Sequence, residues 1–170
     1  MITELGHFAL ILALAASLIQ STVPLIGARR KDPAMMAVGP VAAVTSFALV
    51  MISFVALMHA YVVSDFSVVN VVENSHSLKP MIYKITGVWG NHEGSMLLWI
   101  TILVLFSALV ALFGRNLPDS LKANVLSVQA WITSAFLLFV LLTSNPFARV
   151  FALAGMNPPQ IGRASCRERV

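Results

Sequence analysis

Residues 94–114 read GSMLLWITILVLFSALVALFG, an apolar run that contains no Asp, Glu, Lys or Arg. About 20 such residues form a helix that crosses a hydrocarbon core of roughly 30 Å. A helix satisfies its backbone hydrogen bonds internally, whereas an open strand leaves them unpaired in lipid. Three other runs are equally free of charge, between Glu4 and Arg29, between Asp32 and Asp65, and between Lys122 and Arg149. The sequence therefore predicts an all-α, polytopic integral membrane protein with about four transmembrane helices.

The composition of the whole chain agrees with this prediction. Of its 170 residues, 58% are hydrophobic and 11% are charged, whereas soluble domains carry about a quarter charged residues. This excludes a disordered chain, a basic nucleic-acid-binding domain and an ordinary soluble enzyme. The excess of 11 Lys and Arg over 7 Asp and Glu contains no basic run longer than 29–31, so it indicates membrane topology. With Cys166 as the single cysteine, a disulfide framework and a cysteine metal cluster are excluded.

The positions of the charged residues predict both the spans and their orientation. We expect helices at 5–27, 40–63, 95–114 and 124–144, with a segment at 64–94 outside the membrane. Lys and Arg in short loops mark the cytoplasmic side, and they are concentrated in the loops 28–39 and 115–123. The N-terminus and the segment 64–94 are therefore placed on the outer side, which is the periplasm of a bacterium with this protein in its inner membrane.

The first span has features of a retained transmembrane helix. It lacks the basic N-terminal region and the small-residue cleavage pattern of a signal peptide. Small residues also recur along it at a spacing of four, at Ala9, Ala13, Ser17 and Ser21. Because small side chains let helix backbones approach closely in lipid, this stripe predicts a packing seam.

The motif Trp89–Ser95, which reads WGNHEGS, leads from the segment 64–94 directly into the third span. Its glycines permit tight turns and close approach of the backbone. We expect Ser95 to cap the third span and Glu93 to lie favourably near the positive end of that helix. His92 beside Glu93 offers an imidazole for ligation or proton transfer, with a carboxylate close by.

Much of this region also has a structural interpretation that requires no ligand. The rings of Tyr83, Trp89 and Trp99 suit the membrane–water interface, and a cap and turn glycines account for most other motif residues. The valine-rich run 68–72 predicts a short extended piece, which Pro80 and the polar residues before it interrupt. On residue chemistry alone, an interfacial anchor is favoured over a binding site.

All four histidines lie on or near the predicted outer face, a pattern that suits a ligand handled there. His7 and His59 lie near the outer ends of their spans, where an interfacial histidine bonded to a neighbour is favoured over a haem ligand. His76 lies in a polar loop, where solvation alone explains it. The sequence contains no HExxH, P-loop, GxSxG or dinucleotide fingerprint and no paired carboxylates. No metal site is therefore predicted.

Residues 75–99, which read SHSLKPMIYKITGVWGNHEGSMLLW, closely resemble the CcmF/CycK/NrfE family of cytochrome c-type biogenesis proteins through the pattern W-G-x-H-E-G-S-x-L-L-W. The resemblance extends from Met1 to about Pro159 and includes ELGHFAL at 4–10. It implies the membrane subunit of a haem lyase complex, which attaches haem vinyl groups to the reduced Cys-x-x-Cys-His thiols of apocytochrome c. It also implies that a haem chaperone of the CcmE type delivers haem and that a thiol-handling subunit of the CcmH type delivers the apoprotein.

The resemblance gives motif membership but no residue roles. Family proteins are several times longer, and their tryptophan-rich haem-handling segment and four axial haem-ligand histidines lie beyond this sequence. No haem axial ligand is therefore assigned, catalytic residues are unknown, and haem (b-type in the full-length family) is not expected to be held by this chain alone. The residues that match the family motif are Trp89, Gly90, Asn91, His92, Glu93, Gly94, Ser95 and Trp99.

The C-terminal stretch 161–170 differs from the rest of the chain. It contains three arginines and one glutamate among ten residues, and it resembles a translated adaptor or vector sequence at the end of an incomplete coding region. We therefore expect the native membrane region to cover 1–160, and the chain to be an N-terminal fragment of a haem lyase subunit that is inactive alone.

Two other functions stay open at this point. A small four-helix transporter or channel component would need a polar path through the bundle. The spans offer only scattered Ser and Thr and Gln20, with no Asp, Glu, Lys or Arg in mid-membrane. A scaffold, by contrast, would dock maturation partners through the segment 64–94.

Overall fold

A computed structural model describes residues 1–75, 80–114 and 116–149, and the statements below refer to these residues. They form six helices: α1 (Ile2–Arg30), α2 (Pro33–Val63), α3 (Val69–Asn74), α4 (Met81–Gly87), α5 (His92–Phe113) and α6 (Asp119–Leu142). Helices α1, α2, α5 and α6 are long and apolar enough to cross a membrane. The predicted fold class, an all-α membrane protein with about four spans, is confirmed.

The long helices extend beyond the charge-free runs from which they were predicted. Helix α2 begins at Pro33 rather than at residue 40, because the side chain of Asp32 accepts a hydrogen bond from Ala34 N (2.9 Å) and proline suits the first helical position. Helix α6 begins at Asp119 rather than at residue 124, and this acidic residue lies favourably in its first turn. A charge ends the hydrocarbon-crossing part of a helix, but it does not end the helix.

The bundle has two distinct ends. The first turn of α1, the end of α2, the start of α5 and the end of α6 lie together at what we call the motif end, where Tyr61 bonds to Asn91 and His92 bonds to Ser144. The α1–α2 and α5–α6 connections lie at the opposite end, which we call the basic end. Helix α1 packs along α2 and α6, α2 along α5, and α5 along α6.

The connection between α1 and α2 is tight. It consists of Lys31, whose φ of 55° is left-handed, and Asp32, whose backbone N–H donates to Gly27 O (3.0 Å). A Cβ at Gly27 would lie 2.7 Å from Met35 Cβ and 2.9 Å from Met36 N. Only glycine therefore permits the two helices to approach so closely beside the turn.

The predicted seam of small residues on α1 is confirmed. Ala9, Ala13, Ser17 and Ser21 are all buried. Ser134 of α6 donates a hydrogen bond to Ser17 Oγ at 2.8 Å, so the seam carries a polar contact between helices in addition to close packing. Such contacts in lipid stabilise helix association by about 0.6 kcal/mol each on average.

Gln20 is the main polar residue inside the bundle. Its buried side-chain amide donates to Ser107 Oγ of α5 (3.0 Å) and to the backbone oxygen of Leu126 in α6 (3.1 Å). One glutamine thereby joins three of the four spans. Because both hydrogen bonds of Gln20 are made to neighbouring helices inside the packed bundle, this residue contributes to helix association.

The segment between α2 and α5 differs from the prediction. The run 68–72, expected to be extended, is mostly helix α3; only Val68 is extended and forms an isolated antiparallel bridge with Arg149. Within the described residues no strand lies beside this bridge. An isolated strand would leave its backbone N–H and C=O groups unpaired, whereas a short helix pairs them internally. The expected extended piece is therefore wrong beyond its first residue.

Candidate functional site

The turn that precedes α5 is closed by Asn91. Asn91 is the N-cap of α5, and its Oδ1 accepts a hydrogen bond from Gly94 N at 2.6 Å. The expectation that Ser95 caps this helix is wrong, because Ser95 lies within the first turn and its backbone N–H donates to Asn91 O (3.0 Å). Both residue types cap helices well, and Glu93 still lies in the first turn as predicted.

Gly94 is required by a close approach of the backbone. A Cβ at this position would collide with the carbonyl oxygen of Val88, and it would lie 3.1 Å from Asn91 Oδ1. Gly90 is different, because a Cβ there would meet nothing nearer than Thr86 O at 3.6 Å. Of these two motif glycines, Gly94 is the one whose surroundings leave no room for a side chain.

A buried hydrogen-bond network holds this turn on the bundle. The hydroxyl of Tyr61 in α2 donates to Asn70 Oδ1 of α3 (2.5 Å) and accepts from Asn91 Nδ2 (2.5 Å), while Asn91 Nδ2 also lies 2.8 Å from Asn70 Oδ1. Tyr61 and Asn70 are both buried. The network thus joins α2, α3 and the cap of α5, and it fixes where the first turn of α5 lies.

His92 is oriented by a residue far away in the sequence. Its Nδ1 lies 3.0 Å from the hydroxyl oxygen of Ser144, which is buried just after α6. Among the described residues its hydrogen-bond partner is thus Ser144 and not the adjacent Glu93. The imidazole itself is exposed, so Nε2 is the ring nitrogen left for other chemistry.

The aromatic residues singled out in the sequence do not enter the core. Tyr83, Trp89 and Trp99 are all exposed, as expected of rings that lie at a membrane–water interface. Gly87 lies beside the Tyr61 ring, where a Cβ would be 3.6 Å from Cε1. The exposed aromatic rings and the buried network therefore occupy neighbouring parts of the motif end.

The remaining histidines are separate from the motif. His59 is exposed and makes no hydrogen bond within the part of the chain that the structure describes. His7 is half-buried, packs edge-on against Phe147 at a centroid distance of 6.4 Å, and has a buried Nδ1 without a described partner. His76 lies outside the described residues. Within the described ranges, no three His, Cys, Asp or Glu side chains form a group able to hold a metal ion.

The segment that follows α6 returns to α1 at the motif end. Arg149 donates to Glu4 (2.9 Å) and to Thr3 Oγ1 (3.2 Å). Nearby, Asp65 accepts hydrogen bonds from the hydroxyl (2.7 Å) and the backbone N–H (3.1 Å) of Ser67. These bonds, with the hydroxyl as the main cause and Arg149 contributing, hold the pKa of the Asp65 carboxyl below its ordinary value.

The described interior does not favour the transport alternative. An open groove of about 390 Å³, lined by Ala, Val, Ile and Thr side chains of α1 and α2, lies on the outer surface of the bundle, where Val41 and Ile19 are exposed. The polar side chains inside the bundle, such as Gln20 and Ser134, bond to neighbouring helices instead. A solute path would need polar groups that line open space.

Comparison with known proteins agrees with the resemblance in the motif. The family described as cytochrome C assembly protein matches residues 89–161. The chain is 68% identical over 162 residues to the cytochrome c-type biogenesis protein CycK of Rhizobium meliloti, covering 93% of this chain and 24% of the relative. It is 46% identical over 157 residues to CcmF of Pseudomonas aeruginosa, covering 92% and 24%.

The comparison also includes a relative named NrfE and one solved structure. NrfE of Escherichia coli is 42% identical over 136 residues, covering 78% of this chain and 25% of the relative. The structure titled cytochrome c heme lyase CcmF superimposes with a TM-score of 0.82 at 24% identity, covering 96% of this chain and 26% of that chain, and it supports the fold alone.

The chain spans about a quarter of the length of the curated relatives that it matches. Within that quarter, the likeness extends over most of this chain and includes the Trp89–Ser95 motif. These identities show that the chain belongs to the cytochrome c-type biogenesis family of CcmF, CycK and NrfE.

Proposed function

We propose that this chain is part of the membrane subunit of a haem lyase complex in cytochrome c maturation. The whole subunit helps to transfer haem from a CcmE-type haem chaperone to the Cys-x-x-Cys-His thiols of apocytochrome c, which a CcmH-type partner presents. The family membership and the CcmF fold support this proposal. Haem b and its axial ligands belong, in this proposal, to parts of the full-length protein outside this chain.

The orientation of the bundle is part of the same proposal. The basic end carries Arg29, Arg30, Lys31 and Lys122, and basic residues in short loops mark the cytoplasmic side. The motif end, with the N-terminus, then faces the periplasm of a bacterial inner membrane. This places the Trp89–Ser95 turn on the side where c-type cytochromes receive their haem.

The observation that carries the proposal is the way in which the motif turn is held. Asn91 caps α5 and, through Tyr61 and Asn70, is fixed to α2 and α3, while Ser144 fixes the exposed ring of His92. A turn held by contacts from three other parts of the chain presents a defined surface rather than a mobile loop. We propose that this surface, with His92 and Glu93, contacts the partners or the haem of the complex.

A chimera tests the function of the chain. The matching segment of Rhizobium meliloti CycK is replaced by residues 1–159 of this chain, and the chimera is expressed in a strain that lacks CycK. Covalent haem in c-type cytochromes, detected by haem staining, is expected to return to the level given by CycK itself. A chimera that accumulates in the membrane at normal levels but restores no cytochrome c contradicts the proposal.

The same chimera tests the motif turn. His92→Ala is expected to lower cytochrome c maturation, whereas His59→Ala, which changes an exposed histidine at the same end, is the matched control and is expected to leave it unchanged. Both variants must accumulate equally in the membrane. Equal maturation by the two variants would remove His92 from the proposed surface without affecting the assignment of the chain to the complex.

A further inference from the structure

Helix α4 is an apolar helix that the rest of the described chain leaves uncovered. None of its seven residues is buried, and Met81, Ile82 and Tyr83 expose 57%, 67% and 63% of their surfaces. Successive residues of a helix point about 100° apart, so these three side chains occupy most of its circumference. A helix this short is marginal in water, and this one requires an apolar or interfacial environment around it.

The position of α4 relative to α2 indicates which environment this is. Lys84 Nζ donates to the hydroxyl of Ser64 (2.7 Å), which is the C-cap residue of α2, and Gly87 lies beside Tyr61. The last residue of α2, Val63, is itself exposed. Helix α4 therefore lies level with the last turn of a membrane span, at the boundary between hydrocarbon and water.

The chemistry of the neighbouring chain is also that of an interfacial segment. Residues 80–91 contain a single charged side chain, that of Lys84. Tyr83 and Trp89 have amphipathic rings, which concentrate at the level of lipid headgroups. Lys84 can keep its amine among polar groups while its methylene stem lies along apolar surface.

We propose that α4 lies in the interfacial layer of the bilayer at the motif end, with Met81, Ile82 and Tyr83 among the phospholipid headgroups and the adjoining acyl carbons. The exposed end of α2 at Val63 adjoins Ser64, to which α4 bonds through Lys84. The sequence suggested that the whole segment 64–94 lies in water outside the membrane. In this proposal its second half instead rests on the membrane surface. The proposal depends on the membrane-spanning fold and is independent of the haem lyase function.

The interfacial position of α4 has a consequence for the motif. Only Val88 to Asn91 separate α4 from α5, so a helix resting on the lipid fixes the height of the Trp89–Ser95 turn from one side. The network through Tyr61 and Asn70 fixes it from the other side. The turn is thereby held at the membrane surface, within reach of amphipathic molecules in that layer.

Collision measurements on a spin label test the proposal. Cys166→Ser removes the single cysteine of the chain, a nitroxide is attached at Ile82→Cys, and the chain is placed in phosphatidylcholine nanodiscs. Matched labels at Glu73→Cys, an exposed position of α3, and at Phe106→Cys, an exposed position of the span α5, give the water and hydrocarbon references. Collisions with oxygen and with a water-soluble nickel chelate are then measured for each label.

The label at residue 82 is expected to collide with oxygen more often than the label at residue 73, and with the nickel chelate about fivefold less often. Nickel collisions equal to those at residue 73 would place α4 in water and overturn the proposal. Low collision rates with both probes would show that protein, such as a second copy of the chain, covers α4, and would overturn it equally.

An unlabelled chain gives an independent measurement. The protein has three tryptophans, and Trp99→Phe with Trp131→Phe leaves Trp89 as the single fluorophore. Lipids brominated near the headgroup are expected to quench its emission more strongly than lipids brominated at the end of the acyl chain. Quenching by aqueous acrylamide alone, with no effect of brominated lipid, would contradict the interfacial position.

Discussion

The two ends of the bundle are built from contacts of different range. At the basic end, α1 and α2 are joined by Lys31 and Asp32 alone, and the turn is closed by bonds between residues at most five positions apart. At the motif end, three bonds join residues 30, 52 and 145 positions apart: Asn91 with Tyr61, His92 with Ser144, and Arg149 with Glu4. Local contacts thus determine the α1–α2 turn at the basic end, whereas the contacts of the motif end exist only in the assembled bundle.

The largest effect is expected from Gly94→Ala at the motif end. The added methyl group would collide with the Val88 carbonyl, and the backbone shift should cost about 3 kcal/mol of unfolding free energy. The amount of folded, monodisperse protein in detergent and its midpoint of thermal unfolding measure this. Gly90→Ala, where the space is open, is the control; equal loss from both variants would mean that the close approach is not what requires glycine.

Tyr61→Phe tests the buried network. Removing the hydroxyl takes one partner from the buried amide of Asn70 and one from the half-buried amide of Asn91, which should cost about 2 kcal/mol. Thermal unfolding followed by circular dichroism measures the loss. Tyr83→Phe changes the other tyrosine of the chain, which is exposed on α4, and it should change the midpoint little. If the two substitutions are equivalent, the network does not stabilise the motif end.

Asp32→Ala tests the claim that the basic end is local. Loss of this N-cap should destabilise the protein by about 1 kcal/mol without altering the motif end. The rate at which diethyl pyrocarbonate modifies His92, followed by mass spectrometry, should therefore stay the same. A faster reaction in Asp32→Ala would show that the two ends are coupled through the bundle.

Ser144→Ala should affect orientation more than stability. The bond to His92 involves an exposed imidazole, so we expect a loss of about 0.5 kcal/mol. The nitrogen NMR shifts of the ring should change, because Nδ1 loses its hydrogen-bond partner. Ser95→Ala, an adjacent serine without this contact, should leave the ring signals unaltered; an unaltered spectrum for Ser144→Ala would remove Ser144 as the orienting residue.

The smallest effect concerns Asp65, which Ser67 keeps ionised. Because its pKa is lowered in the folded protein, the stability it contributes is present above the unfolded value of about 3.9 and is lost as pH falls through the lowered pKa. Ser67→Ala should raise that pKa towards the unfolded value, as measured by carbon NMR of the carboxyl group. An unchanged titration midpoint would assign the shift to the backbone N–H of residue 67 and to Arg149 instead of the hydroxyl.

The spans could be predicted because the absence of charge over 20 residues is a local property of the sequence. The starts of α2 and α6 were missed for the same reason, because Asp32 and Asp119 are charged and yet begin helices. The position of the motif was also found, since Trp89–Ser95 is contiguous. The expected cap is wrong, because Asn91 and Ser95 suit the role equally by residue type and only the hydrogen bonds of Gly94 and Ser95 to Asn91 distinguish them.

The contacts that hold the motif turn could not be found from the sequence. Nothing near His92 points to Ser144, and nothing near Asn91 points to Asn70 and Tyr61. The sequence does show that these residues are polar and stand among apolar neighbours. Because a buried polar group requires a hydrogen-bond partner, this indicates that partners exist. Identifying the partner requires the arrangement of all four spans.

The two-residue connection between α1 and α2 has a consequence for how the protein enters the membrane. With Gly27 against Met35 and only Lys31 and Asp32 between helices, neither helix can be threaded across the bilayer without its neighbour returning beside it. We therefore expect the pair to be integrated as a single hairpin during biogenesis. The side of the membrane on which the hairpin loop remains then determines the orientation of the later spans.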